Sequence, residues 1–289
     1  MAQFDYVAPS SVDEAVRALM SAPSAKVLAG GTDLIVQMRA GRQRPGAVVD
    51  LKRIPGAIGV RREADGAYVI GAATCGAAIA DDVALVRAWP GVVEAASLIG
   101  STQVQGRASL GGNLCNASPA ADSVPALIAA RAVCVIAGPS GRREAPVEAI
   151  QASPGSTTLQ PGEFILEFRL PPRPARSADA YLRLIPRTEM DIAVVGAGVS
   201  LVLDAAGTIT EAYVSLGAVA PTTLLVAAAG AAITGGKLDD AALDRLDAAA
   251  RAACNPIDDK RGTIDYRTKI AGVLVRRTAA IAYARAEAR

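Results

Sequence analysis

The segment from Gly106 to Leu127, GRASLGGNLCNASPAADSVPAL, constrains the fold most, because nearly all of its side chains are small. It contains the adjacent glycines Gly111 and Gly112 and no aromatic residue. Glycine permits positive φ and leaves the backbone N–H groups unshielded, so a ligand can approach the main chain closely. We predict a long loop here, followed by a helix over Ser123 to Arg131. Loops of this length without secondary structure are uncommon in compact domains unless they are functional, and the segment therefore predicts a binding site.

A second glycine pair lies in AGGTD, Ala29 to Asp33, between a predicted buried strand and a predicted helix that ends near Gly41. Backbone N–H groups at the start of such a helix can bind a phosphate. Taken alone, the segment is more typical of an ordinary strand-to-helix turn, with Asp33 as a helix cap.

Short polar side chains accompany the glycines of the longer segment. Ser109, Asn113, Asn116 and Ser118 can form hydrogen bonds, and Asp122 can accept two hydroxyl hydrogens, as a ribose or ribitol requires. Two concave stretches of exposed backbone with such side chains suit a large phosphorylated ligand.

The chain has no histidine among its 289 residues, which excludes Ser-His-Asp and Cys-His catalysis and histidine-ligated zinc. The four cysteines lie far apart without a CxxC motif, so the spacing of an iron–sulfur or zinc site is absent. The sequence GAGVSL at Gly196 lacks the third glycine of a Rossmann fingerprint.

Net charge and apolar runs bear on partners and location. A net charge of +2 gives no reason to expect nucleic acid or an anionic membrane. The segment from Ala212 to Thr234 has no charged residue but is interrupted by Pro221, and we predict a strand, a turn and a soluble helix rather than a membrane span. Since no signal peptide is recognisable, we expect a cytoplasmic protein with reduced thiols.

Hydrophobic periodicity predicts an α+β fold in two parts. The first part combines a capping box at Ser11 and Glu14, hairpins near Asp65-Gly66 and Pro139–Gly141, and short helices between Gly76 and Leu98. A linker is predicted over residues 171–180. Two long strands joined at residues 204–207 follow, with helices over 222–229, 239–253 and 266–288. We place the boundary at residue 176, which gives domains 1–176 and 177–289.

Four motifs together carry a family resemblance. KVLAGGTDLIVQMR and ASLGGNLCNASPAADSVPAL resemble the two FAD-binding segments of the flavoprotein (medium) subunit of molybdenum hydroxylases, the carbon monoxide dehydrogenase and xanthine dehydrogenase family. LGAVAPT, residues 216–222, and PIDDKRGTIDYRTKIAGVLVRR, residues 256–277, resemble the C-terminal domain of that subunit. The motifs occur in the expected order over nearly the whole chain.

The resemblance implies FAD as the cofactor. It also implies a two-subdomain FAD-binding fold, similar to that of vanillyl-alcohol oxidase, followed by a small α+β C-terminal domain. The first pyrophosphate-binding segment would be Lys26, Val27, Leu28, Ala29, Gly30, Gly31, Thr32 and Asp33, and the second would be Ala108, Ser109, Gly111, Gly112 and Asn113. Asp122 would bond flavin or adenosine hydroxyls, Ile99 and Ile165 would pack on the cofactor, and Thr102 would contact it. Arg183 stands where the family often has lysine.

The resemblance further implies an electron-transfer subunit, with substrate oxidised elsewhere. A large molybdopterin subunit and a small [2Fe-2S] subunit would be partners, in an (αβγ)₂ assembly, and electrons would pass from the clusters through FAD to an external acceptor. Two alternatives stay open: a free-standing flavin-dependent oxidoreductase on the same fold, and a nonenzymatic binding module without flavin. The missing histidine argues against the first, and the intact glycines and Asp122 argue against the second.

Overall fold

The structure, a computed structural model, describes residues 3–289. The strands are β1 (Asp5–Val7), β2 (Lys26–Leu28), β3 (Ala47–Asp50), β4 (Val60–Arg62), β5 (Tyr68–Gly71), β6 (Val133–Gly138), β7 (Gly141–Pro146), β8 (Gln151–Ser153), β9 (Ser156–Thr157), β10 (Phe164–Leu170), β11 (Ser177–Leu184), β12 (Val195–Leu203), β13 (Ile209–Gly217) and β14 (Leu224–Leu225). The helices are α1 (Val12–Ser21), α2 (Leu34–Arg39), α3 (Gly76–Asp81), α4 (Val83–Ala88), α5 (Pro90–Ala96), α6 (Thr102–Gln105), α7 (Leu110–Cys115), α8 (Ser123–Ala129), α9 (Ala227–Ala231), α10 (Asp240–Ala252) and α11 (Ile264–Glu287).

The first subdomain is a parallel sheet of three short strands in the order β1-β3-β2, packed against α1. The predicted cap of α1 is confirmed, because the Ser11 hydroxyl accepts from the Glu14 N–H at 3.3 Å. The Glu14 carboxylate accepts from the N–H of Ser10 at 2.8 Å. Ala15 and Val49 then bury the apolar side of the helix against the sheet.

The second subdomain is an antiparallel sheet in the order β4-β5-β10-β6-β7, with α3, α4, α5, α7 and α8 contributing to its core. Both predicted hairpins are confirmed, one joining β4 to β5 and the other joining β6 to β7. Ile70, Ile136 and Phe168 are wholly buried beneath the helices. These two subdomains bring the glycine segments of the sequence to one cleft.

The C-terminal part is an antiparallel sheet in the order β11-β12-β13-β14 with a helical layer on each face. Ala197, Val199 and Leu201 of β12 lie in a core shared with α10 and α11. The alternate residues Gly196 and Gly198 lie on the other face, where α8 and Tyr181 pack. Period-two alternation thus lets one strand serve both layers.

The predicted loop is wrong over residues 110–115, because the glycine pair lies inside the short helix α7, whereas the predicted helix that follows the loop is confirmed as α8, which begins at Ser123. Ser109 caps α7 by accepting from the Gly112 N–H at 3.2 Å. A Cβ on Gly111 would lie 2.6 Å from the Ala72 carbonyl oxygen. Gly111 is therefore required for close packing of the helix on the sheet.

Two element boundaries also differ from the prediction. The predicted linker over 171–180 is wrong beyond residue 176, because Ser177 begins β11, which pairs with β12 along its whole length. The predicted helix over 222–229 is wrong at its start, since Leu224 and Leu225 form β14 and the helix spans Ala227–Ala231. No helix within residues 3–289 is long and apolar enough to cross a membrane.

Candidate cofactor-binding cleft

A cleft of about 740 Å³ opens between the first and second subdomains. Its volume lies within the range of about 300–1,000 Å³ usual for sites that bind small molecules and cofactors. One wall runs from β2 through the following turn into α2, and the opposite wall is formed by α7 and the segment before β10. Backbone and small side chains form most of both walls, so the cleft can take a large ligand without rearrangement.

The turn between β2 and α2 presents its backbone to the cleft. A Cβ on Gly30 would coincide with the carbonyl group of Arg107, and Gly31 has a φ of +79°. The N–H groups of Gly31, Thr32 and Asp33 donate to no backbone carbonyl in the part of the chain that the structure describes. Such a run of free donors binds an anionic oxygen well. Because α2 has only six residues, these N–H groups matter more than any helix dipole.

Lys52 stabilises this turn through a hydrogen bond to its backbone. Its Nζ donates to the Ala29 carbonyl oxygen at 2.9 Å and to Asp50 Oδ1 at 2.7 Å. The Tyr6 hydroxyl donates to the other Asp50 oxygen at 2.6 Å. Burial raises the pKa of Asp50, but the hydrogen bonds from Lys52 and Tyr6 outweigh it and the pKa is lowered. Asp50 is therefore ionised at neutral pH and keeps the Lys52 ammonium beside the turn.

The opposite wall is the first turn of α7. Gly112 is exposed to the cleft, whereas Gly111 is buried against Ala72. The Asn113 carboxamide oxygen accepts from the Ser123 N–H at 3.0 Å and from its hydroxyl at 2.7 Å. Asn113 therefore caps α8, and it links the cleft wall to the residue that follows Asp122.

A direct hydrogen bond joins the two walls. Gln37 Nε2, on α2, donates to the side-chain oxygen of Asn116 at 3.0 Å. Both residues line the cleft. The bond fixes the spacing between the glycine turn and α7.

Asp122 and Arg183 form a buried ion pair outside the cleft lining. Arg183 Nη1 lies 2.9 Å from Asp122 Oδ1, and their side chains are 6% and 11% exposed. Burial raises the pKa of Asp122 to about 6, although the positive charge of Arg183 acts in the opposite direction. Burial, and secondly the nearby charge of Asp122, raises the pKa of the Tyr181 hydroxyl, which has no hydrogen-bond partner within residues 3–289.

The structure brings most of the predicted site residues onto the cleft walls. Those that line it are Lys26, Val27, Leu28, Ala29, Gly30, Gly31, Thr32, Asp33, Ile99, Ala108, Ser109, Gly111, Gly112, Asn113 and Ile165. Thr102 is exposed on α6, and neither it nor the Asp122–Arg183 pair belongs to the lining. The role of each of these residues toward a cofactor stays a prediction.

Sequence reasoning missed part of the lining. Gln37, Arg42 and Gln43 come from α2 and the turn after it, and residues 159–164 enter from the start of β10. The Pro161-Gly162 pair signals a turn, but nothing in the sequence places that turn beside the glycine segments. Only the pairing of β10 with β5 and β6 does so.

Cys115 lines the cleft but is not activated. It is accessible from the cleft, and the protein packed around its sulfur raises its pKa to about 12. At neutral pH it is a thiol, which is a poor nucleophile. Within residues 3–289 no cluster of three or more His, Cys, Asp or Glu side chains could hold a metal ion.

Comparison with known proteins decides the family. The sequence profile described as the FAD-binding domain in molybdopterin dehydrogenase matches residues 2–173, which is more than half of the chain. The chain belongs to this family of FAD-binding flavoproteins. A second profile, the carbon monoxide dehydrogenase flavoprotein C-terminal domain, matches residues 180–282 of this flavoprotein.

Individual relatives agree with this assignment. The flavoprotein is 34% identical over 284 residues to the carbon monoxide dehydrogenase medium chain of Hydrogenophaga pseudoflava, covering 98% of each chain. It is 31% identical over 220 residues to a putative xanthine dehydrogenase FAD-binding subunit of Escherichia coli, covering 76% of this chain and 75% of that one. A chain in the structure of reconstituted carbon monoxide dehydrogenase from Oligotropha carboxidovorans superimposes with a TM-score of 0.93 at 34% identity, covering 98% and 99% of the two chains. The protein is thus an FAD-binding medium subunit of the molybdenum hydroxylase class.

The cleft fits FAD on its own geometry. The turn at Gly31 offers free N–H donors, and the exposed Gly112 leaves the first turn of α7 without a side chain toward the cleft. Apolar side chains such as Leu28, Ile99 and Ile165 complete the walls. A diphosphate flanked by two flat ring systems needs this combination of backbone donors and apolar surface.

Proposed function

We propose that this flavoprotein carries electrons from [2Fe-2S] clusters of a partner subunit through FAD to an external acceptor. Bound FAD supplies the redox chemistry, so the protein has to bind, orient and shield it rather than provide an acid or base. The arrangement that carries this proposal is the pair of glycine-rich walls facing each other across the cleft, joined by the Gln37–Asn116 hydrogen bond.

The proposed roles of the residues follow their positions. Lys26 to Asp33 and Ala108 to Asn113 hold the pyrophosphate from opposite walls, and Ile99 and Ile165 pack on the rings. Thr102, Asp122 and Arg183 contact the part of the cofactor that extends beyond the cleft lining. Ionised Asp122 accepts hydroxyl hydrogens, and the Arg183 guanidinium both neutralises it and donates to cofactor oxygens.

The proposed complex contains a large molybdopterin subunit, which oxidises the substrate, and a small [2Fe-2S] subunit, in an (αβγ)₂ assembly in the cytoplasm. The full-length likeness to the carbon monoxide dehydrogenase medium chain supports such partners. The cysteines at positions 75, 115, 134 and 254 are all free, which supports a reducing compartment. We also propose that residues 1–176 bind FAD and that residues 177–289 form the C-terminal flavoprotein domain.

The test is affinity purification of the tagged chain from cells that express the whole operon. We expect a yellow complex that contains FAD, iron and molybdenum in fixed ratio, with two further subunits identified by mass spectrometry. Gly112→Leu is the matched variant, because it should retain the partners and the metals while losing flavin. Electrons from the reduced clusters should then no longer reach an added acceptor dye.

The same preparation separates the alternatives. A chain that purifies alone with FAD, and is bleached by a substrate without partners, would contradict the subunit role and indicate a free-standing flavin oxidoreductase. A chain that is colourless and fails to bind added FAD would contradict the cofactor site itself.

A further inference from the structure

Helix α8 lies between the cofactor cleft and the C-terminal sheet. Its first residue, Ser123, is held by Asn113 of the cleft wall. Its opposite side contacts β12 and β13. Asp122 immediately precedes the helix and is paired with Arg183 of β11. Whatever fixes α8 on the sheet therefore also fixes Asp122.

Three glycines, Gly196, Gly198 and Gly217, form the surface that receives this helix, and we call them the glycine seat. A Cβ on Gly198 would lie 2.5 Å from the Pro125 carbonyl oxygen. Gly217 is the cross-strand partner of Gly196 and faces the same side of the sheet. A Cβ on Gly217 would lie 2.9 Å from the Pro125 ring. The first turn of α8 thus rests directly on bare backbone.

Gly196 makes room for the residues beside Asp122. Its Cβ would lie 2.7 Å from the Tyr181 hydroxyl, and its cross-strand partner on β11 is Arg183. Arg183 and Tyr181 are two apart on that strand and share a face. The seat therefore contacts α8, which follows Asp122, and Tyr181, which shares a face of β11 with Arg183.

The backbone conformation does not require these glycines. None of the three has a positive φ, whereas eleven glycines elsewhere in the described chain do. Glycine inside a strand weakens the strand, and it commonly marks a site where another backbone approaches closely. The close approach of Pro125 is the reason for glycine here, and it explains the GAGVS sequence that is not a nucleotide fingerprint.

We infer that the glycine seat positions Asp122 for the cofactor, so that the C-terminal domain sets the geometry of the FAD site without lining the cleft. This inference rests on the proposed contact of Asp122 with FAD. A methyl group at position 198 would lift the first turn of α8, and Asp122 would move with it.

The test compares Gly198→Ala with Gly230→Ala in the full chain. Gly230 is the matched control, because its Cβ would also strike a backbone carbonyl, that of Ala212, but it belongs to α9 and lies away from α8. We expect Gly198→Ala to weaken FAD binding, measured as Kd by flavin fluorescence, by about tenfold or more. Gly230→Ala should lower the unfolding midpoint and leave the Kd within about twofold of wild type.

A double-mutant cycle shows whether the effect passes through Asp122. In an Asp122→Asn background, Gly198→Ala should weaken FAD binding no further, since interacting sites are not additive. Full additivity, or equal weakening by Gly230→Ala, would overturn the inference. If Asp122→Asn alone leaves the Kd unchanged, the proposed role of Asp122 fails, and the seat as a device that positions it fails with it.

A rescue pair covers the case in which Gly198→Ala does not fold. Gly217→Ala strikes the Pro125 ring rather than backbone, so it should weaken FAD binding less than Gly198→Ala. Adding Pro125→Ala should restore the Kd and the visible absorption spectrum of the bound flavin. If the double variant binds FAD as weakly as Gly217→Ala alone, contact between α8 and the seat is not what positions the site.

Discussion

At the scale of single residues, the pair formed by Asp122 and Arg183 carries the most information about the site. Both side chains are almost fully buried, and their charges are 2.9 Å apart. A buried pair is costly to desolvate, and removing one partner leaves the other charge uncompensated. Both Asp122→Ala and Asp122→Asn remove the charge, but Asp122→Asn keeps the shape of the side chain and an oxygen that can accept from Arg183, and it is therefore the better test of cofactor binding.

The raised pKa of Asp122 predicts a specific pH dependence of stability. Its pKa rises from 3.8 to about 6 on folding. As the pH rises, the Asp122 carboxyl therefore ionises at a lower pH in the unfolded chain than in the folded one. Its contribution to the free energy of unfolding is complete below about pH 4 and is lost between about pH 4 and pH 6. The loss amounts to about 3 kcal/mol at neutral pH. Urea unfolding of the cofactor-free chain from pH 4 to 8 should show a fall in wild type that is smaller in Asp122→Asn by about this amount, because burial also raises the pKa of Asp33 and Asp179, which both chains keep. Parallel profiles would contradict the prediction.

Gly112 separates cofactor binding from folding. It lies in α7 without a positive φ, and its side-chain position is open to the cleft, with only the Ser109 hydroxyl nearby at 3.2 Å. Gly112→Leu should therefore leave the unfolding free energy unchanged or raise it by up to about 1 kcal/mol. Binding of FAD should weaken at least tenfold, about 1.4 kcal/mol, because the leucine occupies the cleft.

The control for this variant is Gly106→Leu, at an exposed glycine with no neighbour within 4 Å and outside the cleft lining. Equilibrium titration with FAD and urea unfolding give the two quantities. Loss of FAD binding in both variants would show that the change at position 112 does not act by filling the cleft.

At the scale of elements, sequence patterns predicted the helices, caps and turns that depend only on neighbouring residues. The Ser11 cap, the turn at Asp65-Gly66 and the helix α10 follow from residues adjacent in sequence. The sequence did not predict α7, because its glycines are poor helix formers and the packing of Gly111 on Ala72 is what selects them. Nor did it predict that β11 begins at Ser177, since the prolines before it are typical of a linker and only the pairing with β12 makes this segment a strand.

The site shows the same division. The two glycine segments that line the cleft were recognisable from motifs, because adjacent glycines with short polar neighbours form a pattern that is visible locally in the sequence. The Gln37–Asn116 bond joins residues 79 positions apart, and the Lys52–Ala29 bond joins elements that meet only in the parallel sheet. The sequence around these residues has no pattern that predicts either bond, so the tertiary structure was needed to find both bonds.

Lys52 should support cofactor binding through the turn that it holds. Lys52→Met removes the hydrogen bond to the Ala29 carbonyl and leaves Asp50 with one partner fewer. We expect a loss of about 1–3 kcal/mol in unfolding free energy and weaker FAD binding by roughly three- to tenfold. Lys237→Met, at an exposed lysine, is the control and should change neither quantity. An unchanged Kd for Lys52→Met in FAD titration would show that the turn keeps its shape without this bond.

At the scale of the whole molecule, the two predicted domains are held together by a tight and charged seam. A Cβ on Gly91 of α5 would lie 2.6 Å from an Asp179 carboxylate oxygen on β11. Arg173 pairs with Asp179 at 3.0 Å and stacks on Trp89, with 4.0 Å between its guanidinium carbon and the ring centre. Glu94 is bound by Arg285 of α11. The seam is therefore part of the core rather than a loose contact between modules.

This seam predicts that residues 1–176 do not fold cooperatively alone. Without β11 and the sheet behind it, α5 and α8 lose the surfaces on which they pack, and Arg173, which stacks on Trp89, loses its partner Asp179. Trp89 is the only tryptophan and is 4% exposed in the whole chain. Its fluorescence should be shifted to longer wavelength in the fragment, with no sigmoidal urea transition. A fragment with a cooperative transition and buried-tryptophan emission would show that the first domain is autonomous.

The contacts of the seam can form only late in translation, because they join residues that are far apart in the sequence. Arg285 follows Glu94 by 191 residues, and a ribosome that adds about 5–20 residues per second needs roughly 10–40 s to make that stretch. Throughout this interval the surface around Trp89 and Glu94 has no partner from the last helix. Asp122, which we propose contacts FAD, likewise has no Arg183 partner until β11 has emerged. FAD binding that depends on the Asp122–Arg183 pair therefore cannot begin before Arg183 has left the ribosome.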